Sequence, residues 1–145
     1  ASDVYKRQEA GYGQGYDLVS PFGMALVSAT AAHGQMPMPY LISGETTEVG
    51  EQVEQLSGEA VEQLRRLMAS VTAPGGTAAG MGAGGDIRGK TGEAEFTGGS
   101  HAWFTGYRAD DDIAFATLVV RGGGSEIAVQ LTDAMLRNLD AARNP

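Results

Sequence analysis

The residues best suited to chemistry lie in the short segment Gly89-Lys90-Thr91-Gly92. Lys90 is one of two lysines in the chain, and the other eight basic residues are arginine. A lysine ammonium is a compact charge with three donors, and flanking glycines allow a ligand to come close to the backbone. The segment therefore predicts a site for an anionic group, and two kinds of anion site fit it.

One interpretation is a phosphate loop that binds a nucleotide, because residues 84–91 match the pattern G-x-x-x-x-G-K-[ST]. That motif needs a buried strand before the loop and a helix after it, so that helix amides face the phosphates. Residues 77–84 have too little β-branched or aromatic content for such a strand, and Gly92 and residues 97–99 interrupt a following helix. The sequence context therefore argues against nucleotide binding.

The second interpretation places Lys90, Thr91 and Gly92 on a strand that lines a cleft. In that position Lys90 supplies positive charge and Thr91 supplies a hydroxyl group for a substrate carboxylate. On a strand, Glu93 shares a face with Thr91 because side chains alternate between the two faces.

The composition argues against several functional classes. The chain has 145 residues, enough for one domain or a piece of one. Its net charge of −8 argues against nucleic acid or an anionic membrane surface as a partner. There is no cysteine, so neither a disulfide framework nor a thiolate metal site is predicted, and no metal or cofactor is expected. No apolar run approaches the ~20 residues of a membrane span.

The first eight residues differ from the rest. Residues 3–8 resemble the translation of an adapter used in sequencing libraries, so we expect residues 1–8 to be an artefactual tail. The native reading frame is then expected to begin near Glu9, where the gene was cut. Residues 9–145 are predicted to form a C-terminal fragment of one domain.

Three helices are predicted, at residues 20–33, 57–71 and 125–142. Ser20 and Ser125 are predicted N-caps, and Gly34 is the predicted stop of the first helix. The first helix is apolar on several faces and is expected to be buried nearly all round. The expected inward stripes of the other two are Val61, Leu64, Met68 and Val71, and Ile127, Leu131, Met135 and Leu139.

Three strands are predicted at residues 87–96, 101–108 and 113–120, and the last two form an antiparallel hairpin across the turn at residues 109–112. The third strand is apolar on both faces, so both sides of the sheet should be covered. A short edge strand is predicted at residues 40–42, and residues 73–85 form a long Gly/Ala loop. The predicted fold is α+β, with three antiparallel strands and helices on both faces.

This order of elements resembles the C-terminal half of the transpeptidase domain of a class B penicillin-binding protein. It is most similar to the actinobacterial penicillin-binding protein A type. The resemblance extends over residues 9–145 and rests on four segments, residues 13–15, 20–25, 89–95 and 101–107.

The resemblance implies serine acyl transfer that cross-links peptidoglycan stem peptides, with β-lactams acylating the same serine. Carried onto this sequence, Lys90 would be catalytic, attracting the substrate and helping to organise proton transfer. The Thr91 hydroxyl would bind the terminal carboxylate, Gly92 would allow close backbone approach, and the Glu93 N–H would donate in the oxyanion hole. The parent protein would be anchored at the extracytoplasmic face of the bacterial membrane and work with cell-wall glycosyltransferase and division proteins.

Two features depart from the family pattern. Glu93 stands where a second hydroxyl residue is usual, and its carboxylate would repel a substrate carboxylate unless Lys90 or an arginine neutralises it. No serine in the chain has lysine three residues later, and no S-x-N occurs. The nucleophile and the middle motif are therefore expected upstream, and this chain alone is expected to be inactive.

Two related functions share the strand motif. One is a serine β-lactamase or D,D-carboxypeptidase, and the other is a non-catalytic domain that senses penicillin. The loop at residues 13–15 and residues 101–104 favour the transpeptidase over the hydrolases.

Overall fold

The computed structural model describes residues 8, 10–15, 17–48, 50 and 54–144. Within these residues the elements are α1 (Pro21–His33), α2 (Gly58–Thr72), β1 (Ile87–Phe96), β2 (Gly99–Arg108), β3 (Ile113–Val119) and α3 (Glu126–Arg143). The strands form an antiparallel sheet in the order β1-β2-β3. The predicted α+β class is confirmed. The predicted boundary at Glu9 lies outside the described residues.

Helix α1 begins and ends close to the predicted positions because both of its ends are capped. The Ser20 hydroxyl accepts a hydrogen bond from the Gly23 N–H at 3.0 Å, and Pro21 occupies the first helical position. Gly34 closes the helix in the left-handed region at φ 82°, and its N–H donates to the Thr30 carbonyl at 2.6 Å.

The expectation that α1 is buried nearly all round is wrong for the described residues. Its buried residues are Ser28 and Ala31, whereas Phe22 and Val27 are 57% and 51% exposed. The helix packs on β2 and β3 and also contacts α2. The opposite side leaves an apolar surface uncovered by the described part of the chain.

Helix α2 follows its predicted pattern in part. The Ser57 hydroxyl accepts from the Ala60 N–H at 3.2 Å, which fixes the start of the helix. Val61 and Met68 are buried as predicted, while Leu64 remains 37% exposed.

Helix α3 presents a different face to the sheet from the one predicted. Leu131 and Met135, two residues of the predicted stripe, are 48% and 42% exposed. The small residue Ala128 allows close approach to the sheet, and the Thr132 hydroxyl lies 2.6 Å from that of Thr117. The predicted stripe is therefore wrong for Leu131 and Met135, although Ile127 packs against the core as predicted. The buried residues of the helix are Ala128, Val129, Thr132 and Leu136.

The predicted start of α3 is confirmed only in position. Ser125 stands at the N-cap but makes no capping hydrogen bond with its side chain.

The predicted edge strand at residues 40–42 is wrong, because residues 36–48 contain no strand. The prolines at positions 37 and 39 lack N–H donors, and Leu41 is 93% exposed.

Helices cover both faces of the sheet, as predicted. On one face α3 packs over a core that includes Phe104, Phe115 and Leu136. On the other face α1 and α2 enclose a smaller cluster of Ala31, Met68 and Tyr107. β2 lies at the centre of the sheet, and the edge of β1 that faces away from β2 has no neighbouring strand among the described residues.

Candidate functional site

Strand β1 carries the Lys-Thr-Gly segment at the edge of the described sheet. Thr91 lies opposite Phe104 of β2, on the face covered by α3, and Lys90 lies opposite Thr105, on the face of α1 and α2. The side chains of Lys90 and Thr91 therefore leave the strand on opposite faces. Glu93 shares the face of Thr91, as predicted.

The hairpin register shows which backbone groups of β1 face the open edge. The Ala109 N–H donates to the Asp86 carbonyl at 3.0 Å, so even-numbered positions turn their backbone groups toward β2. Odd-numbered positions turn theirs outward. The Ile87 carbonyl confirms this, since it accepts from the Thr72 hydroxyl of α2 at 2.7 Å.

The Lys90 side chain leaves the strand on the α1 face and bends round so that its ammonium lies at the open edge. It donates to the outward carbonyl of Thr91 at 2.5 Å. Lys90 is exposed, and within the described residues it forms no salt bridge. Its charge therefore lies beside the outward N–H groups of Thr91 and Glu93, where an anion can meet all three donors.

Arg88, two residues earlier on the same face, is neutralised. Its guanidinium lies 2.7 Å from the Asp86 carboxylate. The hydrogen bond from Arg88 holds the pKa of the Asp86 carboxyl below its ordinary value. Lys90 thus supplies the uncompensated positive charge of this part of β1.

The Thr91 hydroxyl lies behind the strand. It is 2.9 Å from the Thr77 hydroxyl, and Thr91 is 8% exposed. Thr77 belongs to the loop between α2 and β1, which is held in place by the Ala78 N–H donating to the Val71 carbonyl at 2.8 Å. The structure does not place this hydroxyl on the face of Lys90.

The Glu93 carboxylate is held across the hairpin and is paired with neither Lys90 nor an arginine within the described residues. It accepts from the Ser100 hydroxyl at 2.6 Å. The same hydroxyl lies 3.1 Å from the Gly123 carbonyl, and its single proton can serve only one of the two acceptors at a time. The negative charge thus stays on the α3 face, while the Glu93 N–H faces the open edge.

Gly89 and Gly92 differ in how strictly the structure requires a glycine at each position. A Cβ at Gly89 would lie 2.7 Å from the ring of Phe104 and 2.9 Å from the Thr105 carbonyl oxygen, so Gly89 is required by packing. A Cβ at Gly92 would lie 3.3 Å from that of Trp103. Gly92 therefore keeps the backbone accessible with a smaller steric demand.

A loop from the start of the chain reaches this site. The Gln14 side-chain amide donates to the Glu93 carbonyl at 3.1 Å, across 79 residues of sequence. Gly13 and Gly15 both have φ 79°, in the left-handed region that favours glycine. The Gly-Gln-Gly loop is thereby shaped to carry Gln14 against β1.

Residues 2–137 match the family model of the penicillin binding protein transpeptidase domain. The chain belongs to this family. The predicted resemblance is therefore confirmed at the level of the family. No curated protein matches the chain.

Two solved structures of penicillin-binding proteins are similar to this chain. Pseudomonas aeruginosa PBP2, in complex with WCK 5153, has a TM-score of 0.71 and 22% identity over 90% of this chain and 31% of its own. Penicillin-binding protein A from M. tuberculosis, an imipenem acyl-enzyme complex, has a TM-score of 0.62 and 26% identity over 88% of this chain and 33% of its own. The chain thus spans about a third of the length of each.

Two further features were sought in the described part of the chain. No group of three or more His, Cys, Asp or Glu residues there is arranged to hold a metal ion. None of the helices described is long and apolar enough to cross a bilayer.

The contacts of two residues of the candidate site are not predicted from the sequence. The sequence predicts a loop at residues 13–15 but no contact for Gln14, and it predicts a loop at residues 73–85 but no role for Thr77. The left-handed glycines on both sides of Gln14 were a visible signal for a shaped loop, but not for its partner. For Thr77 the local sequence carries no such signal.

Proposed function

We propose that this chain supplies the Lys-Thr-Gly strand of a serine D,D-transpeptidase that cross-links peptidoglycan stem peptides. The observation that carries the proposal is the open edge of β1, where the Lys90 ammonium lies beside the outward N–H groups of Thr91 and Glu93. That edge suits a peptide that ends in a carboxylate, because an added strand can pair with it while the ammonium attracts the anion. Membership of the transpeptidase family supports the choice of reaction.

In the proposed reaction, a serine supplied by a longer protein attacks the penultimate D-alanine carbonyl of a stem peptide. The tetrahedral intermediate expels D-alanine and leaves an acyl-enzyme, which the amine of a second stem peptide resolves. Lys90 attracts the substrate and organises proton transfer. Gly92 keeps the backbone accessible, and the Glu93 N–H stabilises the oxyanion.

The Thr91 hydroxyl is the proposed ligand of the substrate carboxylate, subject to one structural condition. It must exchange its hydrogen bond with Thr77 for one with the substrate. The outward N–H of Thr91 is available to the same carboxylate without such an exchange.

The wider setting of the proposal follows from the family resemblance. The longer protein is proposed to be anchored at the extracytoplasmic face of the bacterial membrane. There it would meet stem peptides and β-lactams and work with cell-wall glycosyltransferase and division proteins.

The first experiment compares acylation of the complete protein by a fluorescent penicillin. Lys90→Ala should lower the acylation rate roughly 100-fold or more, since the ammonium assists charge stabilisation and proton transfer. Arg88→Ala is the matched control, because Arg88 lies on the same strand and face but is paired with Asp86. An unaltered acylation rate in Lys90→Ala would remove the assignment.

A second pair of variants separates the two roles of the Thr91 hydroxyl. Thr91→Val should weaken recognition of the penicillin carboxylate by about 1–3 kcal/mol if the hydroxyl binds it. Thr77→Val removes the same internal hydrogen bond and leaves Thr91 in place. Equal losses in the two variants would show that the hydroxyl acts only within the fold.

The same labelling assay distinguishes the proposed reaction from its relatives. Rapid hydrolysis of the penicillin would indicate a β-lactamase, and labelling without cross-linking of stem peptides would indicate a sensor. The 145-residue chain by itself should neither label nor cross-link, because no serine in it carries lysine three residues later. Stoichiometric labelling of this chain would overturn the assignment of an upstream nucleophile.

A further inference from the structure

The α3 face of β1 lacks the second hydroxyl group that the family pattern places after the glycine. Glu93 stands at that position, and its carboxylate accepts from the Ser100 hydroxyl at 2.6 Å. Ser100 lies opposite Glu95 across the hairpin, so this bond draws the carboxylate toward the far end of β1 and away from Thr91. The motif itself therefore provides a single hydroxyl donor, that of Thr91.

A second hydroxyl beside Thr91 comes from outside the strand. The Thr77 hydroxyl, in the loop between α2 and β1, lies 2.9 Å from that of Thr91. Thr77 is exposed, whereas Thr91 is buried. Each hydroxyl carries one proton, so the hydrogen bond between them uses one of two protons. Among the described residues neither hydroxyl has another partner, so the pair retains one proton for a ligand.

The loop that carries Thr77 is held in place by contacts with the helices on either side of it in sequence. Ala78, the next residue, is 1% exposed, and its N–H donates to the Val71 carbonyl of α2 at 2.8 Å. Nearer to β1, one carboxylate oxygen of Asp133 on α3 accepts from the N–H groups of residues 82 and 83, both at 2.7 Å. The position of the Thr77 hydroxyl beside β1 is therefore fixed by the fold.

We propose that Thr77 is the second hydroxyl donor to the substrate carboxylate, beside Thr91. A carboxylate that displaces the hydrogen bond between the two hydroxyls accepts one proton from each, because its two oxygens suit two donors. The Lys90 ammonium at the adjoining edge supplies the positive charge that neither hydroxyl carries. This inference rests on the proposed function, since it assumes a substrate that ends in a carboxylate at this edge.

The test measures how the acylation rate of the complete protein depends on penicillin concentration. Thr77→Val keeps the shape of the side chain and removes its hydroxyl. The dissociation constant of the initial complex should rise roughly three- to tenfold, the effect of losing one hydrogen bond. This loss should be smaller than that in Thr91→Val, because Thr77 is exposed and water competes for its hydroxyl. The limiting acylation rate should change by less than about twofold, because the Thr77 hydroxyl touches no reacting atom.

Two comparisons identify the carboxylate as the partner of the Thr77 hydroxyl. Thr77→Ser retains the hydroxyl and should bind penicillin as the unaltered protein does. The methyl ester of the same penicillin lacks the charge, and hydrogen bonds to an ionised acceptor are roughly twice as strong as those to a neutral one. Its dissociation constant should therefore rise only roughly two- to threefold in Thr77→Val. Thr97→Val, in the exposed turn between β1 and β2, is the matched control and should leave both dissociation constants unaltered.

The outcomes distinguish this inference from the proposed function. If Lys90→Ala lowers acylation as expected while Thr77→Val binds penicillin normally, the role of Thr77 is refuted and the transpeptidase assignment stands. Losses that are the same for penicillin and its methyl ester, or the same as in Thr91→Val, would also refute it, since they indicate that the hydroxyl acts only within the fold. If Lys90→Ala leaves acylation intact, the proposed function itself fails.

Discussion

The contact between Ser28 of α1 and Thr105 of β2 should be a measurable determinant of how α1 is docked on the sheet. Ser28 is 1% exposed and Thr105 is 8% exposed, and their hydroxyl oxygens lie 2.6 Å apart. The Thr105 oxygen also lies 3.1 Å from the carbonyls of Met24 and Phe115. Two hydroxyl protons therefore serve a small buried network that joins a helix and two strands.

The loss of unfolding free energy in each variant depends on which hydrogen bonds of the network remain. Thr105→Val preserves shape and removes one donor and one acceptor, so it should lower the free energy of unfolding by about 1–3 kcal/mol. Ser28→Ala should cost about 1 kcal/mol, because Thr105 can still donate to either carbonyl. Since the two residues share a hydrogen bond, the double variant should lose less than the sum by about 0.5–1.5 kcal/mol.

The assay is a double-mutant cycle measured by urea unfolding of the complete transpeptidase domain, with the slope of each transition checked for constancy. Additivity within about 0.3 kcal/mol would refute the coupling and with it the assignment of the 2.6 Å contact as a buried hydrogen bond. Thr30→Val on α1 is the matched control, because among the described residues its hydroxyl bonds only its own helix, at the Leu26 carbonyl. It should show no coupling to Thr105→Val.

Two further predictions concern stability. Gly89→Ala should destabilise the domain by about 1–3 kcal/mol, because the new Cβ would lie 2.7 Å from the Phe104 ring. Gly58→Ala is the control and should not destabilise the domain, because its Cβ would meet nothing within 4 Å. Equal midpoints of thermal unfolding for the two variants would contradict the prediction. The hydrogen bond from Arg108 lowers the pKa of the Asp111 carboxyl from its ordinary value of 3.8. The ion pair therefore stabilises the folded state above about pH 4, and this stabilisation is lost as the pH falls through the lower pKa of the folded state. Asp111→Asn should therefore flatten the acid limb of the stability curve, and an unchanged limb between about pH 2 and 7 would contradict the pairing.

The Lys90 segment shows how much of the site local sequence predicts. The predicted bounds of β1, residues 87–96, are both correct, and the shared face of Thr91 and Glu93 followed from the two-residue period of a strand. Both Lys90 and the Thr91 hydroxyl are predicted to serve one carboxylate, but successive side chains of a strand leave on opposite faces, so the two groups do not share a face. The structure shows that the Lys90 ammonium reaches the shared edge only by bending back to the Thr91 carbonyl.

The sequence by itself determined the elements whose signals are local. Serine caps, a first-turn proline and a left-handed glycine mark the ends of α1, because each satisfies or removes a backbone group within one turn. The apolar run of the third strand and the aspartate-rich turn predicted the β2–β3 hairpin for the same reason. These features depend on neighbours within a few residues, so no distant contact is needed to predict them.

Only the tertiary structure decided which faces are buried and which residues meet. Helix α3 turns Thr132 inward and leaves Met135 exposed, because close packing on the sheet depends on the shape of the partner surface as well as on hydrophobicity. Gln14 meets Glu93 across 79 residues, a pairing that no local period encodes. The donors at the open edge of β1 come together because the hairpin, α1 and the glycine loop are folded against one another, and that arrangement exists only in three dimensions.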